Sequence, residues 1–227
     1  MPPEQSSLAR LEILLVGGAG GLGSAAAALL EAEGAHVVIS SRTRGLRADI
    51  TKPEDRKWLL DGVPKLYGLV VFAGTPARGL DHDVMRSSHE VNYEGPILLA
   101  REAAERMKSS GTQGAIVLFS TMQAVALFPG STAYAGEKAA LIHTARILAK
   151  ECRGPSNIRV NVIAPGVMAA GMAETSIASG KYERYIQEGV IQRYGRAADV
   201  ARAVRFLLEP DSYVTGQVLS VDGGITL

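Results

Sequence analysis

An α/β fold, a doubly wound parallel sheet in one domain, is predicted by three observations. Short apolar runs recur along the chain without the apolar/polar alternation of half-exposed strands, as expected of parallel strands buried on both faces. Stretches with helical patterning separate them, as parallel crossovers require. A glycine-rich turn joins the first apolar run to the first helical stretch, and the 227 residues suit one domain, taken as 1–227.

Taken in order, strands are expected at 12–16, 36–40, 46–49 (a brief one), 68–73, 114–120, 159–164 and 218–221, giving a seven-stranded sheet. Helices are expected at 22–32, 53–60, 83–108, 133–151 and 197–208, with Gly111 and Gly154 among the punctuation. No linker or internal repeat interrupts this alternation. In such a sheet the ligand lies beyond the carboxyl ends of the strands, where the strand order reverses. The 17–23 turn, Ser41, Gly74 and Thr121 all fall at such ends.

The first turn reads Gly17-Gly18-Ala19-Gly20-Gly21-Leu22-Gly23 between the strand Ile13-Leu14-Leu15-Val16 and an Ala-rich helix. Small residues let the backbone approach a pyrophosphate, and the amides opening the helix offer hydrogen bonds and a partial positive charge. Strand before and helix after are the context that separates a dinucleotide fingerprint, here Gly17, Gly20, Gly21, Leu22 and Gly23, from a plain turn.

Tyr134 and Lys138 stand one helical turn apart, so their side chains leave the same face. An ammonium beside a phenol favours the phenolate and is expected to lower the Tyr134 pKa towards neutrality, making it a proton donor or acceptor.

These residues resemble the classical short-chain dehydrogenase/reductase (SDR) family over nearly the whole chain, which implies a Rossmann-type fold. Beside the glycine turn and the Tyr134/Lys138 pair, Asn92 in Glu90-Val91-Asn92-Tyr93-Glu94-Gly95 is similar to the family's helix Asn, which anchors a water leading to the Lys. Thr121, thirteen residues before Tyr134, stands where the family has its catalytic Ser. Adjacent strand residues face opposite sides, so only Thr121 or Ser120 can serve, and the spacing favours Thr121. Segments 158–166 and 214–224 are similar to the family's last two strands and their loops. The resemblance adds Ala73, Gly74, Pro165, Gly166 and Val167 to the cofactor site. Asp49, with Ile50, resembles the family's adenine-contacting pair, although Asp49 is equally placed to cap the helix near Pro53.

Between Ser40 and Asp49 only eight residues remain, too few for a crossover helix. Ser41 and Arg42 occupy the end of the second strand, where an acidic residue would bind ribose hydroxyls, and Arg44 and Arg47 follow. A guanidinium beside a hydroxyl suits a phosphate on the ribose, so NADP(H) is expected in preference to NAD(H).

The resemblance implies hydride transfer between the nicotinamide and a secondary alcohol or ketone. Tyr134 would be the general acid and base, Lys138 would hold ribose hydroxyls, Thr121 would bond the substrate oxygen, and Asn92 would hold the relay water. Two departures bear on cofactor grip. Val71-Phe72-Ala73-Gly74 replaces the family's Asn-Asn-Ala-Gly, and Ala170 stands where a Thr usually holds the carboxamide. Segment 171–192, with Met172, Tyr182 and Tyr185, falls where the family has its substrate lid, and Gln123 and Phe128 are further candidates for contact. Epimerisation or dehydration on the same scaffold, or non-catalytic dinucleotide sensing, are the alternatives.

Composition sets the remaining bounds. A net charge of +1 with dispersed basic residues gives no reason to invoke nucleic acid or an acidic membrane surface. No apolar segment reads as a signal peptide or a bilayer span, so cytoplasm is the expected location. Cys152 is the only cysteine, which excludes an internal disulfide, and His36, His82, His89 and His143 show no metal-ligand spacing. The partner expected is a small-molecule alcohol or carbonyl compound, and the resemblance implies a homodimer or homotetramer paired through 83–108 and 133–151.

Overall fold

In a computed structural model, which describes residues 7–42 and 45–227, at least one helix lies between every two successive strands. The order is β1 (Glu12–Val16), α1 (Gly21–Ala32), β2 (His36–Ser40), α2 (Pro53–Asp61), β3 (Leu66–Val71), α3 (His82–His89), a π-helical turn (Glu90–Glu94), and α4 (Gly95–Ser109). Then come β4 (Gly114–Phe119), α5 (Met122–Val125), α6 (Thr132–Glu151), β5 (Ile158–Pro165), a tight turn (Gly171–Ala173), α7 (Glu174–Ala178), α8 (Glu183–Gln187), α9 (Ala197–Leu208) and β6 (Val218–Val221). All pairings are parallel, in the order β2-β1-β3-β4-β5-β6. Strand order reverses between β1 and β3, which places a crevice above their carboxyl ends.

Period two along β1 divides its side chains between two cores. Leu14 and Val16 pack with Leu69, Leu99 and Leu141 on one face, whereas Ile13 and Leu15 pack with Leu30, Val204 and Leu207 on the other. Each fully buried leucine contributes roughly 1.5–3 kcal/mol, so β1 is held in register from both sides.

Two expectations are corrected. The described residues form six strands rather than seven, because the segment expected as a strand at 46–49 makes only one bridge, Leu46 with Ser40. The Leu46 N–H bonds back to the Ile39 carbonyl at 2.9 Å, and Ser40 Oγ donates to the Leu46 carbonyl at 2.8 Å, so the short connection folds against the strand it leaves. β2 is therefore an edge. The helix expected over 83–108 is interrupted by the π turn, with the Gly95 N–H bonded to the Glu90 carbonyl. Pro96 explains it: proline has no N–H to offer the Asn92 carbonyl four residues back, and its ring crowds that oxygen.

A third cluster of Met122, Val167, Tyr182, Ile191 and Ile225 ties the 174–192 region to the ends of the strands. Among the described residues no helix is long and apolar enough to cross a membrane.

Candidate active site

A cavity of about 1070 Å³ opens above the carboxyl ends of the strands, at the top of the roughly 300–1,000 Å³ range of small-molecule sites. Its floor is the first glycine turn. Gly17 has φ +78°, and a Cβ there would lie 2.8 Å from the Ala73 nitrogen, so this position excludes side chains twice over. A Cβ on Gly23 would lie 2.5 Å from Gly18 Cα, which shows how tightly α1 packs on its own turn. α1 opens at Gly20 with no side-chain cap and no acidic residue in its first turn. Its leading amides are thus left for an anion, and the glycine cradle fits a pyrophosphate.

Gly17, Gly20, Gly21, Leu22 and Gly23 line this cavity together with Ser41, Arg42, Asp49, Ile50, Ala73, Gly74, Pro165, Gly166 and Val167. Every cofactor position read from the sequence therefore borders one space. Arg44 lies outside the described residues, and Arg47 is exposed away from the cavity. Asp49 does not cap α2, whose cap position is Lys52. Its Oδ1 accepts from the Thr51 N–H at 3.1 Å and the Thr51 hydroxyl at 2.8 Å, forming a tight turn. Behind that turn Arg56, which is buried, donates to the Ile50 carbonyl at 3.0 Å and pairs with Glu102, pinning the loop to α2 and α4. Sequence reasoning missed Arg56, since nothing in its spacing marks it as buried.

Tyr134 and Lys138 lie in the first two turns of α6 and both face the cavity. Lys138 is buried, and its Nζ donates to the Phe119 carbonyl at 2.9 Å. Ser120 Oγ in turn donates to the Lys138 carbonyl at 3.0 Å, so two bonds stitch the end of β4 to α6. That bond spends the Ser120 hydroxyl. Thr121 lines the cavity, accepts from the Gln123 N–H at 3.3 Å as the cap of α5, and keeps its own proton to donate.

The charge states depart from expectation. Burial pushes the Tyr134 phenol up to about 12 and the Lys138 ammonium down to about 7. The expected lowering of Tyr134 by Lys138 is not seen, and loss of water around the buried phenol is the cause of its rise.

Asn92 is fully buried, and its amide is taken by protein groups at both ends. Its Oδ1 accepts from the Thr75 N–H at 2.9 Å, while Nδ2 donates to the Thr75 carbonyl at 3.0 Å and Ser88 Oγ at 3.1 Å. The side chain directly holds the loop after β3. A Cβ on Gly74 would lie 3.1 Å from Asn92 Oδ1 and 3.5 Å from Lys138 Nζ, which fixes this loop, Asn92 and Lys138 as neighbours. The apolar substitution before Gly74 has a structural partner: the Phe72 and Phe119 rings lie 4.3 Å apart. Ala170 lies over the turn, its Cβ 3.2 Å from where a Gly21 Cβ would be.

Phe128, Gln123, Tyr182 and Tyr185 also line the cavity. The Met172 side chain falls outside the described residues. Arg78, Lys181 and Arg184 also line the cavity and were not anticipated: the 171–192 segment drew attention through its apolar and aromatic residues alone, and nothing in its spacing marks Arg78.

The sequence profile of a family described as Enoyl-(Acyl carrier protein) reductase matches residues 46–226. The chain is 34% identical to carbonyl reductase family member 4 of Danio rerio, over 97% of this chain and 99% of that protein. It is 32% identical to NADPH-dependent aldehyde reductase 2, chloroplastic, of Arabidopsis thaliana, over 83% of this chain and 73% of that one. Among solved structures it resembles ElxO with NADP bound, with a TM-score of 0.85 and 25% identity over 95% of this chain and 98% of that chain.

Proposed function

The chain belongs to the classical short-chain dehydrogenase/reductase family of oxidoreductases, and on that premise we propose that it exchanges a hydride between NADP(H) and a secondary alcohol or ketone, with Tyr134 as general acid and base. The observation that carries this reading is the convergence of Tyr134 and Lys138 on the same cavity as the 17–23 turn. When bound, the nicotinamide supplies or accepts the hydride. The amides of α1 and its turn would hold the pyrophosphate, and Gly166 and Val167, which line the same cavity, would contribute to holding the nicotinamide. Lys138 holds ribose hydroxyls. Thr121 donates a hydrogen bond to the substrate oxygen, and Tyr134 delivers the proton in reduction and takes it back in oxidation. Asn92 keeps the loop at Gly74 in place and, through its position beside Lys138, borders the route of the relay water.

Arg42 and Ser41 at the edge strand support a preference for NADP(H), since both line the cavity and a guanidinium suits a ribose phosphate. The NADPH-dependent relative in Arabidopsis thaliana and the NADP-bound ElxO structure agree with that direction. Residues 1–227 act as one dinucleotide-binding domain with 171–192 as its substrate lid, in the cytoplasm, and as a homodimer or homotetramer, which light scattering on the purified protein would test. The functional test is a panel of alcohols and carbonyl compounds followed by nicotinamide absorbance with each cofactor. Carbonyl-dependent oxidation of NADPH, faster than that of NADH, is the expected result. Cofactor binding without turnover of any member would favour the sensing alternative.

A further inference from the structure

The cavity lining carries more positive charge than a neutral substrate needs. Arg78, from the loop that Asn92 pins, lines it together with Lys181 and Arg184 from the 171–192 segment, against two lining carboxylates, Asp49 and Glu90. Several surface arginines are neutralised, Arg86, Arg106, Arg193, Arg202 and Arg205 each pairing with an Asp or Glu, while others outside the cavity, such as Arg47 and Arg146, are not. Arg78, Lys181 and Arg184 make no such pair among the described residues. Glu183 and Glu188 are the nearest carboxylates in the chain to the two lid cations, and Glu188 acts on Arg184 only at longer range.

The two lid cations are also mounted. The Lys181 Nζ lies 5.3 Å from the centroid of the Tyr182 ring, and the Arg184 guanidinium lies 4.8 Å from that of Tyr185. Arg184 Nη2 donates to the Tyr185 hydroxyl at 3.1 Å, which leaves most of its donor fork unused. Tyr182 is buried in the cluster that contains Met122, the residue after Thr121. Tyr182, over which Lys181 sits, thus belongs to the same apolar cluster as the residue that follows the proposed oxygen-binding Thr121, with Phe128 packed against that cluster.

We propose that the lid selects carbonyl substrates that carry a carboxylate, with Arg184 and Lys181 binding the anion, Arg78 adding to the field, and the reacting carbonyl joined to it by a short apolar chain. All three cations are exposed at the rim of the cavity, so their pull on an anion is screened by salt, and their use is to orient it as it enters, for which guanidinium is well matched to carboxylate geometry. The proposal rests on the reductase reading and adds its substrate class.

The test uses the full chain with NADPH and three oxo acids, acetoacetate, levulinate and the next longer homologue, each against its methyl ester. At least one acid is expected to exceed its ester about tenfold in kcat/KM, with its KM rising with ionic strength while that of the ester holds. Exchange of both lid cations, Lys181→Ala with Arg184→Ala, is expected to bring the acid-to-ester ratio to about one, Arg184→Lys to keep most of it, and Arg184→Glu to invert it. Esters matching or exceeding the acids in every pair, neutral ketones turned over while no acid is, or acid and ester rates falling in parallel in the variants would each overturn the proposal and leave the reductase reading standing. Failure of every carbonyl compound, neutral or acidic, would remove the reductase reading itself.

Discussion

Two ends of one cavity are built on different terms. At the glycine turn, backbone meets backbone: added Cβ atoms at Gly17 and Gly23 would come within 2.8 Å and 2.5 Å of main-chain atoms. At the lid, the contacts are between side chains, with Tyr182 and Ile191 packed against Met122 and Val167, and Tyr185 and Phe128 at the margin. Backbone contacts admit no compromise and recognise what every dinucleotide shares. Side-chain contacts can be exchanged, so discrimination among substrates resides there.

Breaking the rigid end should have the largest effect. Gly17→Val places a branched side chain at a positive φ against Ala73, and is expected to cost about 1–3 kcal/mol in backbone strain alone. Fluorescence titration should show NADPH affinity lost by more than about a hundredfold. Lys138→Met should lower kcat by about 10²–10⁴ while the glycine turn still binds cofactor, measured as turnover against titrated affinity.

Protonation sharpens the same comparison. Burial lowers Lys138 from its ordinary 10.5 to about 7 in the folded protein. Between those values the unfolded chain binds more protons, so the stability that Lys138 contributes rises with pH through that window, and below it the burial cost is complete. Denaturation of wild type beside Lys138→Met should show the wild type gaining in relative stability from neutral pH upwards. For Tyr134, raised to about 12, the phenol is the acid form at neutral pH. Carbonyl reduction should therefore hold steady across neutral pH, and alcohol oxidation, which needs the phenolate, should climb with pH.

Smaller effects follow at the edges of the cavity. Arg42→Ala should raise the KM for NADPH relative to NADH by about tenfold or more, because a charge-assisted contact to phosphate is removed and the rest of the site is untouched. Tyr185→Leu should change substrate KM by only a few-fold, with the KM for NADPH constant, since Tyr185 borders the lid end alone.

The sequence was most readable where backbone geometry demands a residue type. The strands at Glu12–Val16, His36–Ser40 and Val218–Val221 and the glycine turn lie where apolar runs and small residues place them. The cavity also gathers Thr121, Tyr134 and Lys138 from two segments, with Asn92 behind it beside Gly74. Leu46 misled because a strand-like residue pattern carries no information on whether its connection is long enough to cross over. The break at Glu90–Glu94 was readable in Pro96, whose missing amide counts for more than the helical periodicity around it. The short α5 was missed, as four residues carry no period. The Phe119 carbonyl that receives Lys138 is invisible to any reading by side-chain type, and the desolvation that raises Tyr134 depends on packing that spacing does not encode.

The most direct test of a proton-transferring phenol at the cofactor cavity is Tyr134→Phe, assayed for NADPH binding by fluorescence and for carbonyl reduction in a single turnover. Removing one oxygen leaves the glycine turn and Lys138 in place, so affinity for NADPH should remain within a few-fold of wild type while the hydride-transfer rate falls by about 10²–10⁴. Reduction at the wild-type rate by that variant would contradict the account.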